Sequence, residues 1–294
     1  MALGLVTAVL AAVLFGLAAV LQGMATAATA LRRVLDPRLL LELLRSRAFV
    51  LCLAFNLAGF LLHVVALQSL PLFLVQSVIA ASVAVTALVS ARLLDDRLDR
   101  AEQVSVAAVV AGLVLLALAA GEGSAEPASD LVVPWLALVL ALAGVAGAVL
   151  ARFPGSWTAG PLGLLAGVGF AVVAVSARLL PDLKASTLLT SPAAWLVPAA
   201  GGLAFLLYVH AMQRGSVTRT TAAMVLTQTA VPAAVGVAVL GDRVQDGAAG
   251  LGLLGFPLAL LGVAVLLSRE RTEELAAAAA MPQVADEGLE PRLP

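Results

Sequence analysis

The 17 basic and 18 acidic residues of this chain all lie outside nine long apolar runs or at the ends of those runs. Placing a charge at the middle of a bilayer costs at least ~2.5–3.5 kcal/mol on the most lenient insertion scale. A chain that keeps every Lys, Arg, Asp and Glu out of its apolar runs is therefore patterned for lipid. Composition agrees. Hydrophobic residues make up 62% and charged residues 12%, with a mean hydropathy of +1.07, against about 45–50% and 25% in soluble domains. The expected fold class is an all-α polytopic membrane protein.

A helix needs about 20 mostly apolar residues to cross a bilayer. Runs of that kind fall at 3–29, 48–68, 72–94, 101–120, 131–151, 158–179, 193–213, 217–240 and 247–268. They are too long, and alternate too little, to be transmembrane strands. Punctuation between them fits: Pro71 opens the third run, residues 121–130 form a short acidic linker, and Phe153-Pro154-Gly155 makes a tight turn. The first run is longer than the roughly 7–15 residues of a signal-peptide core and has no basic residue before it, so it is expected to be a retained span.

Loop charge sets the orientation. One face receives Arg32, Arg33, Arg38, Arg45, Arg47, Arg92, Arg97, Arg100, Arg152, Arg214, Arg219 and the tail's Arg269, Arg271 and Arg292, whereas the other has only Arg178, Lys184 and Arg243. Fourteen against three predicts an outside N-terminus and a cytoplasmic C-terminus. One lysine and one isoleucine among abundant Ala, Val, Leu and Arg suggest a GC-rich bacterial genome, hence a bacterial inner membrane. The tail 269–294 turns charged and then Ala-rich, and is expected to be disordered apart from a short helix through Glu273 to Ala280.

An internal repeat organises the spans. His63-Val64-Val65-Ala66-Leu67-Gln68 returns 145 residues later as Tyr208-Val209-His210-Ala211-Met212-Gln213, and Asp96-Arg97-Leu98 returns as Asp242-Arg243-Val244. Spans one to four then match spans six to nine. This predicts a first repeat over 1–120, a connecting helix with its loops over 121–157, and a second repeat over 158–268. An offset of five helices is odd, so the two copies are expected to lie inverted in the membrane. Inverted repeats are a common plan of secondary transporters, with the substrate near the midplane between them.

The unit helix–Pro–helix–Asp-Arg-Leu–helix, used twice, resembles the drug/metabolite transporter superfamily and its EamA-like repeats, in a nine-span variant. Within that superfamily it is similar to NIPA-type magnesium transporters through Gly59, Pro71, Val75, Ala80, Ser82, Val83 and Asp96-Arg97-Leu98. The resemblance implies a transporter fold along nearly the whole chain. The chain departs from the NIPA pattern at Phe60, where a glutamate is implied, and at His63, where an asparagine is implied. The superfamily's glutamate at the end of the repeat's third helix is shortened to Asp96 and Asp242.

No run carries a mid-membrane Asp or Glu, which weakens divalent-cation and proton-coupled cation mechanisms alike. What the spans do offer is uncharged polarity. Cys52, Asn56, Gly59, His63 and Ala66 share one stripe of the second span, read either as a helix seam or as a cavity wall. His63 is the ionisable candidate for proton coupling. Tyr208 takes its repeat position and reads equally as an interfacial anchor or a cavity residue. Gln76, Ser82, Thr86 and Ser90 of the third span are matched by Thr220, Thr221, Thr227 and Gln228 of the eighth, where Pro232 frees the Gln228 carbonyl. The substrate-cavity candidates are Asn56, His63, Gln68, Gln76, Tyr208 and Gln228, with Pro71 and Pro232 as gate or kink positions.

The leading expectation is a secondary carrier for a small neutral or amphipathic solute. The alternatives are a NIPA-like divalent-cation (Mg) transporter and a non-transporting membrane scaffold acting through its tail. No enzyme activity, cofactor, metal site or catalytic residue is expected. A single cysteine precludes an intrachain disulfide, two histidines argue against zinc, and no phosphate loop or nucleophile–base pair occurs. The expected partners are a solute and the bilayer, with self-association unassigned. No basic cluster with interleaved aromatics points to nucleic acid.

Overall fold

A computed structural model of the chain describes residues 2–67, 75, 78–79, 81–94, 98–119, 131–180, 189–239, 245 and 247–280. Among these residues the protein is all-helical, without a strand. The helices are α1 (Ala2–Ala27), α2 (Arg38–Leu43), α3 (Arg47–Leu67), α4 (Ser82–Leu93), α5 (Arg100–Ala119), α6 (Val132–Leu150), α7 (Ala159–Arg178), α8 (Pro192–Met212), α9 (Val217–Val239) and α10 (Ala249–Ala280). A 3₁₀ turn, Ser156–Thr158, leads into α7. Each of the nine apolar runs contains one of these helices, and α2 lies in the first loop. Five are long and apolar enough to cross a membrane: Leu3–Ala27, Val132–Leu150, Ser156–Ser176, Pro192–Met212 and Ala249–Leu266.

Many large side chains point outward, among them Leu57 on α3, Leu142 on α6 and Leu253 on α10. Contiguous apolar surface of this kind is what a membrane-embedded helix presents to lipid. Trp135, Trp157 and Trp195 are exposed, in keeping with their expected place at the ends of spans.

The helices pair in an ordered way. α1 packs on α3 and α4, while α7 packs on α8 and α9; α5 pairs closely with α10, and α4 touches α9. In lipid such pairing rests on close backbone approach rather than on hydrophobic expulsion. Accordingly a Cβ on Gly16 of α1 would stand 2.7 Å from Val85 Cβ of α4. One on Gly255 of α10 would stand 2.7 Å from the Gly112 carbonyl of α5. The largest core cluster centres on α9, whose Ala222, Ala223 and Leu226 meet Val83, Val109, Leu162, Leu207 and Val263. The Thr-rich start of α9 therefore faces protein, not lipid.

The last helix runs past residue 268 to Ala280, so the stretch from Glu273 to Ala280 continues α10. Glu, Leu and an unbroken run of Ala are strong helix formers, and no Gly or Pro interrupts them there.

Candidate functional site

The polar groups buried between helices come from both halves of the chain. Gln22 of α1 is 1% exposed, and its Oε1 accepts the Cys52 thiol of α3 at 3.7 Å. Asn56, one turn along α3, donates its Nδ2 to the Cys52 carbonyl at 3.1 Å and approaches Cys52 Sγ at 3.3 Å. The Nε2 of Gln22 is buried with no acceptor among the described residues. On the facing helices the Tyr208 hydroxyl of α8 shares a 2.6 Å hydrogen bond with Thr221 Oγ1 of α9, and both residues are buried. Gln22, Cys52 and Asn56 on α1 and α3, and Tyr208 with Thr221 on α8 and α9, thus form two uncharged polar groups that make up a cluster at one end of the bundle.

Position along the helices places this cluster. Gln22, Cys52, Tyr208 and Thr221 each lie four or five residues from the end of their helix, or roughly 6–8 Å at 1.5 Å per residue. The cluster sits near the arginine-rich end of the bundle, not at its middle.

Of the residues singled out from sequence, Asn56 and Tyr208 belong to this cluster. His63 lies eleven residues beyond Cys52, about 16 Å further along α3; it is half-buried, and its Nδ1 is buried without a partner. Gln228 is half-buried, seven residues beyond Thr221 and so about 10 Å away along α9. Pro232 lies inside α9 without ending it, as the helix continues to Val239. Gln68, Pro71 and Gln76 fall outside the described residues. The stripe on α3 is a packing seam in part: Gly59 rests against the Phe15 ring of α1, and Cys52 and Ala66 are fully buried. Phe60, where the resemblance implies a glutamate, is 56% exposed on α3.

Below the cluster the arginine-rich end is tied across the molecule. Ser90 Oγ of α4 and Thr218 Oγ1 of α9 lie 2.7 Å apart. Gln213 donates to Thr29 Oγ1 at 2.7 Å and to the Ala30 carbonyl at 3.0 Å. Arg214, 7% exposed, spreads its guanidinium over the carbonyls of Arg32 (2.6 Å), His210 (2.8 Å), Ala151 (2.9 Å) and Phe153 (3.4 Å). Burial pushes this guanidinium below the ordinary arginine value. His210 sets its two ring nitrogens 2.9 Å from the Leu206 carbonyl and 3.0 Å from the Val34 carbonyl. A neutral ring donates to only one of these.

A buried ion pair completes this end. Arg219, in the first turn of α9, binds Glu102 Oε1 of α5 through Nε at 3.1 Å and through Nη2. The other oxygen of Glu102 accepts the Asp99 backbone N–H at 2.8 Å, and Asp99 Oδ1 accepts the Glu102 N–H at 2.8 Å. This capping box starts α5, so one carboxylate both begins a helix and holds a second one. Arg214 and Arg219, which the loop-charge count assigns to one membrane face, are both buried.

The cluster can donate and accept hydrogen bonds but carries no formal charge. Among the described residues, no three His, Cys, Asp or Glu side chains gather as metal ligands. The fold and its outward apolar surface define a membrane-embedded helical protein. No family model, curated protein or solved structure matches the chain.

Proposed function

We propose that this chain is a secondary carrier of the drug/metabolite type, in a bacterial inner membrane, that moves a small neutral or amphipathic solute by alternating access. Nine spans form two inverted four-helix halves, α1 with α3–α5 and α7 with α8–α10, joined by α6, with the N-terminus outside and the C-terminus cytoplasmic. Helix pairing supports this plan. α1 on α3 and α4 has its counterpart in α7 on α8 and α9, and both α4 with α9 and α5 with α10 join equivalent helices of the two halves.

The observation that carries the function is the bare Nε2 of Gln22. A buried amide donor without an acceptor costs about 1–3 kcal/mol, and this one lies in a polar cluster built from α1, α3, α8 and α9. A solute carbonyl, ether or hydroxyl is a suitable acceptor for that N–H. The ties from Arg214, Arg219 and Gln213 then close the cytoplasmic end beneath it.

Binding tests the reading. Purified protein in detergent, screened against neutral and amphipathic solutes, is expected to unfold at higher temperature with a subset of them. The Gln22→Leu variant, whose apolar side chain needs no partner, is expected to keep its intrinsic stability and lose the shift. A shift that survives in Q22L, or no shift with any solute, contradicts the assignment.

A further inference from the structure

The segment that enters α3 is cationic and apolar at once. Its two acids are both engaged by Arg32, which reaches Asp36 at 3.3 Å and Glu42 at 2.8 Å. Arg45 and Arg47 are exposed and have no ion pair or side-chain hydrogen bond among the described residues. Between these guanidiniums and the side chains of Val50, Leu51 and Ala54 opens a cleft of about 420 Å³. Val50 is 50% and Leu51 44% exposed, so the wall of this cleft is bare hydrocarbon.

The layout has a direction. The two cations stand where α3 begins, and Arg47 is the helix's first residue, so the helix dipole adds positive potential there. The apolar wall continues up the helix to Ala54, seven residues on, or about 10 Å. A ligand matching both ends has a compact anion at one end and a hydrocarbon chain at the other. A free phosphate would pair with the guanidiniums but leave Val50 and Leu51 uncovered. A zwitterionic lipid would cover the wall but bring its own cation to the arginines.

We propose that this cleft binds an anionic phospholipid, with its phosphate held between Arg45 and Arg47 and an acyl chain lying along Val50, Leu51 and Ala54. Two guanidiniums suit this role because each offers a forked pair of donors to phosphate oxygens. The site is independent of the polar cluster around Gln22, as it lies on the outer surface of α3.

Native mass spectrometry of the full-length protein in detergent tests the assignment, with phosphatidylglycerol, phosphatidylcholine and glycerol phosphate as probes. Phosphatidylglycerol is expected to be retained about tenfold better than phosphatidylcholine, since each juxtamembrane cation contributes appreciably to anionic-lipid binding. The exposed double variant R45Q/R47Q is expected to lose that preference, whereas R33Q/R152Q, which removes two exposed cations elsewhere, keeps it. Glycerol phosphate is expected to bind at least about tenfold more weakly than the lipid, lacking the chain. Equal retention of the two lipids by the native protein overturns the proposal, as does an unchanged preference in R45Q/R47Q. So does equal loss in R33Q/R152Q, which would mean bulk charge alone, or equal binding of glycerol phosphate, which would mean an anion site without a lipid.

Discussion

Ser90 Oγ and Thr218 Oγ1 approach to 2.7 Å between α4 and α9, inside the arginine-rich end of the bundle. Both are buried, so their hydroxyls satisfy each other where water has no access. The same end carries the Arg219–Glu102 pair, the Gln213–Thr29 bond and the Arg214 cage. Each of these features ties the chain after residue 210 to the chain before residue 103, and Arg214 reaches Ala151 and Phe153 as well. In the carrier proposed above, opening this end would break a buried charge pair.

That pair has a measurable worth. Arg219→Met leaves Glu102 buried without its guanidinium, and breaking a buried pair from one side costs about 3–5 kcal/mol. The double variant R219M/E102Q is expected to recover most of the loss, because glutamine removes the stranded charge and its carbonyl still accepts the Asp99 N–H. Thermal unfolding in detergent micelles reads both; a double variant no more stable than R219M contradicts the pairing.

Arg214 is expected to resist conservative replacement. Four carbonyls from three segments surround its planar fork, whereas lysine offers one nitrogen. R214K should therefore lose about 2–3 kcal/mol as buried carbonyls go unpaired. The sign of any pH effect follows from burial, which lowers the folded-state pKa of Arg214. For a cation this is a cost of folding, constant while both folded and unfolded forms stay protonated and relieved only at strongly alkaline pH. Arg214 itself is accordingly expected to contribute no pH dependence to the native protein's stability from about pH 6 to 9, read by thermal unfolding across that range.

Two glycines should respond oppositely to alanine. A Cβ on Gly167 of α7 would collide with Thr227 Oγ1 and the Met224 carbonyl of α9, whereas one on Gly202 of α8 meets nothing within 4 Å. Overpacking gives G167A an expected loss of about 1–3 kcal/mol. G202A should gain about 0.5–1 kcal/mol from helix propensity. Equal midpoints for the two variants would contradict the α7–α9 packing.

Cys52 is a built-in reporter of the cluster. It is the chain's single cysteine and is fully buried against Gln22. Maleimide labelling is expected to be slow in the native protein, several-fold faster in Gln22→Ala, and complete after unfolding in dodecyl sulfate. Fast labelling of the native protein would contradict this burial.

Much of the helical layout was legible because lipid enforces it: a run that excludes charge and is long enough to cross has few alternatives to a helix. The run at 193–213 and the helix Pro192–Met212 differ by one residue at each end. The cluster was less legible. Asn56 and Tyr208 stand out by spacing and repeat position, whereas Gln22 reads as one polar residue in the first apolar run. The rule that a buried amide must find partners would have found it. The Asp99–Glu102 capping box is readable as a local pattern. Its second use, on a guanidinium 117 residues away, depends on how α5 and α9 pack, and nothing local encodes that. Arg214 escaped for the same reason, since its partners are backbone carbonyls, which every residue has.

The carrier reading stands or falls on flux through the protein. In proteoliposomes loaded across a panel of neutral and amphipathic solutes, the native protein is expected to give saturable transport of at least one. The Q22L variant is expected to lose about tenfold or more of it, the equivalent of about 1.4 kcal/mol in interaction with the solute, while unfolding at an unchanged temperature. Transport no faster than in protein-free liposomes for every solute, or full transport by Q22L, would contradict it.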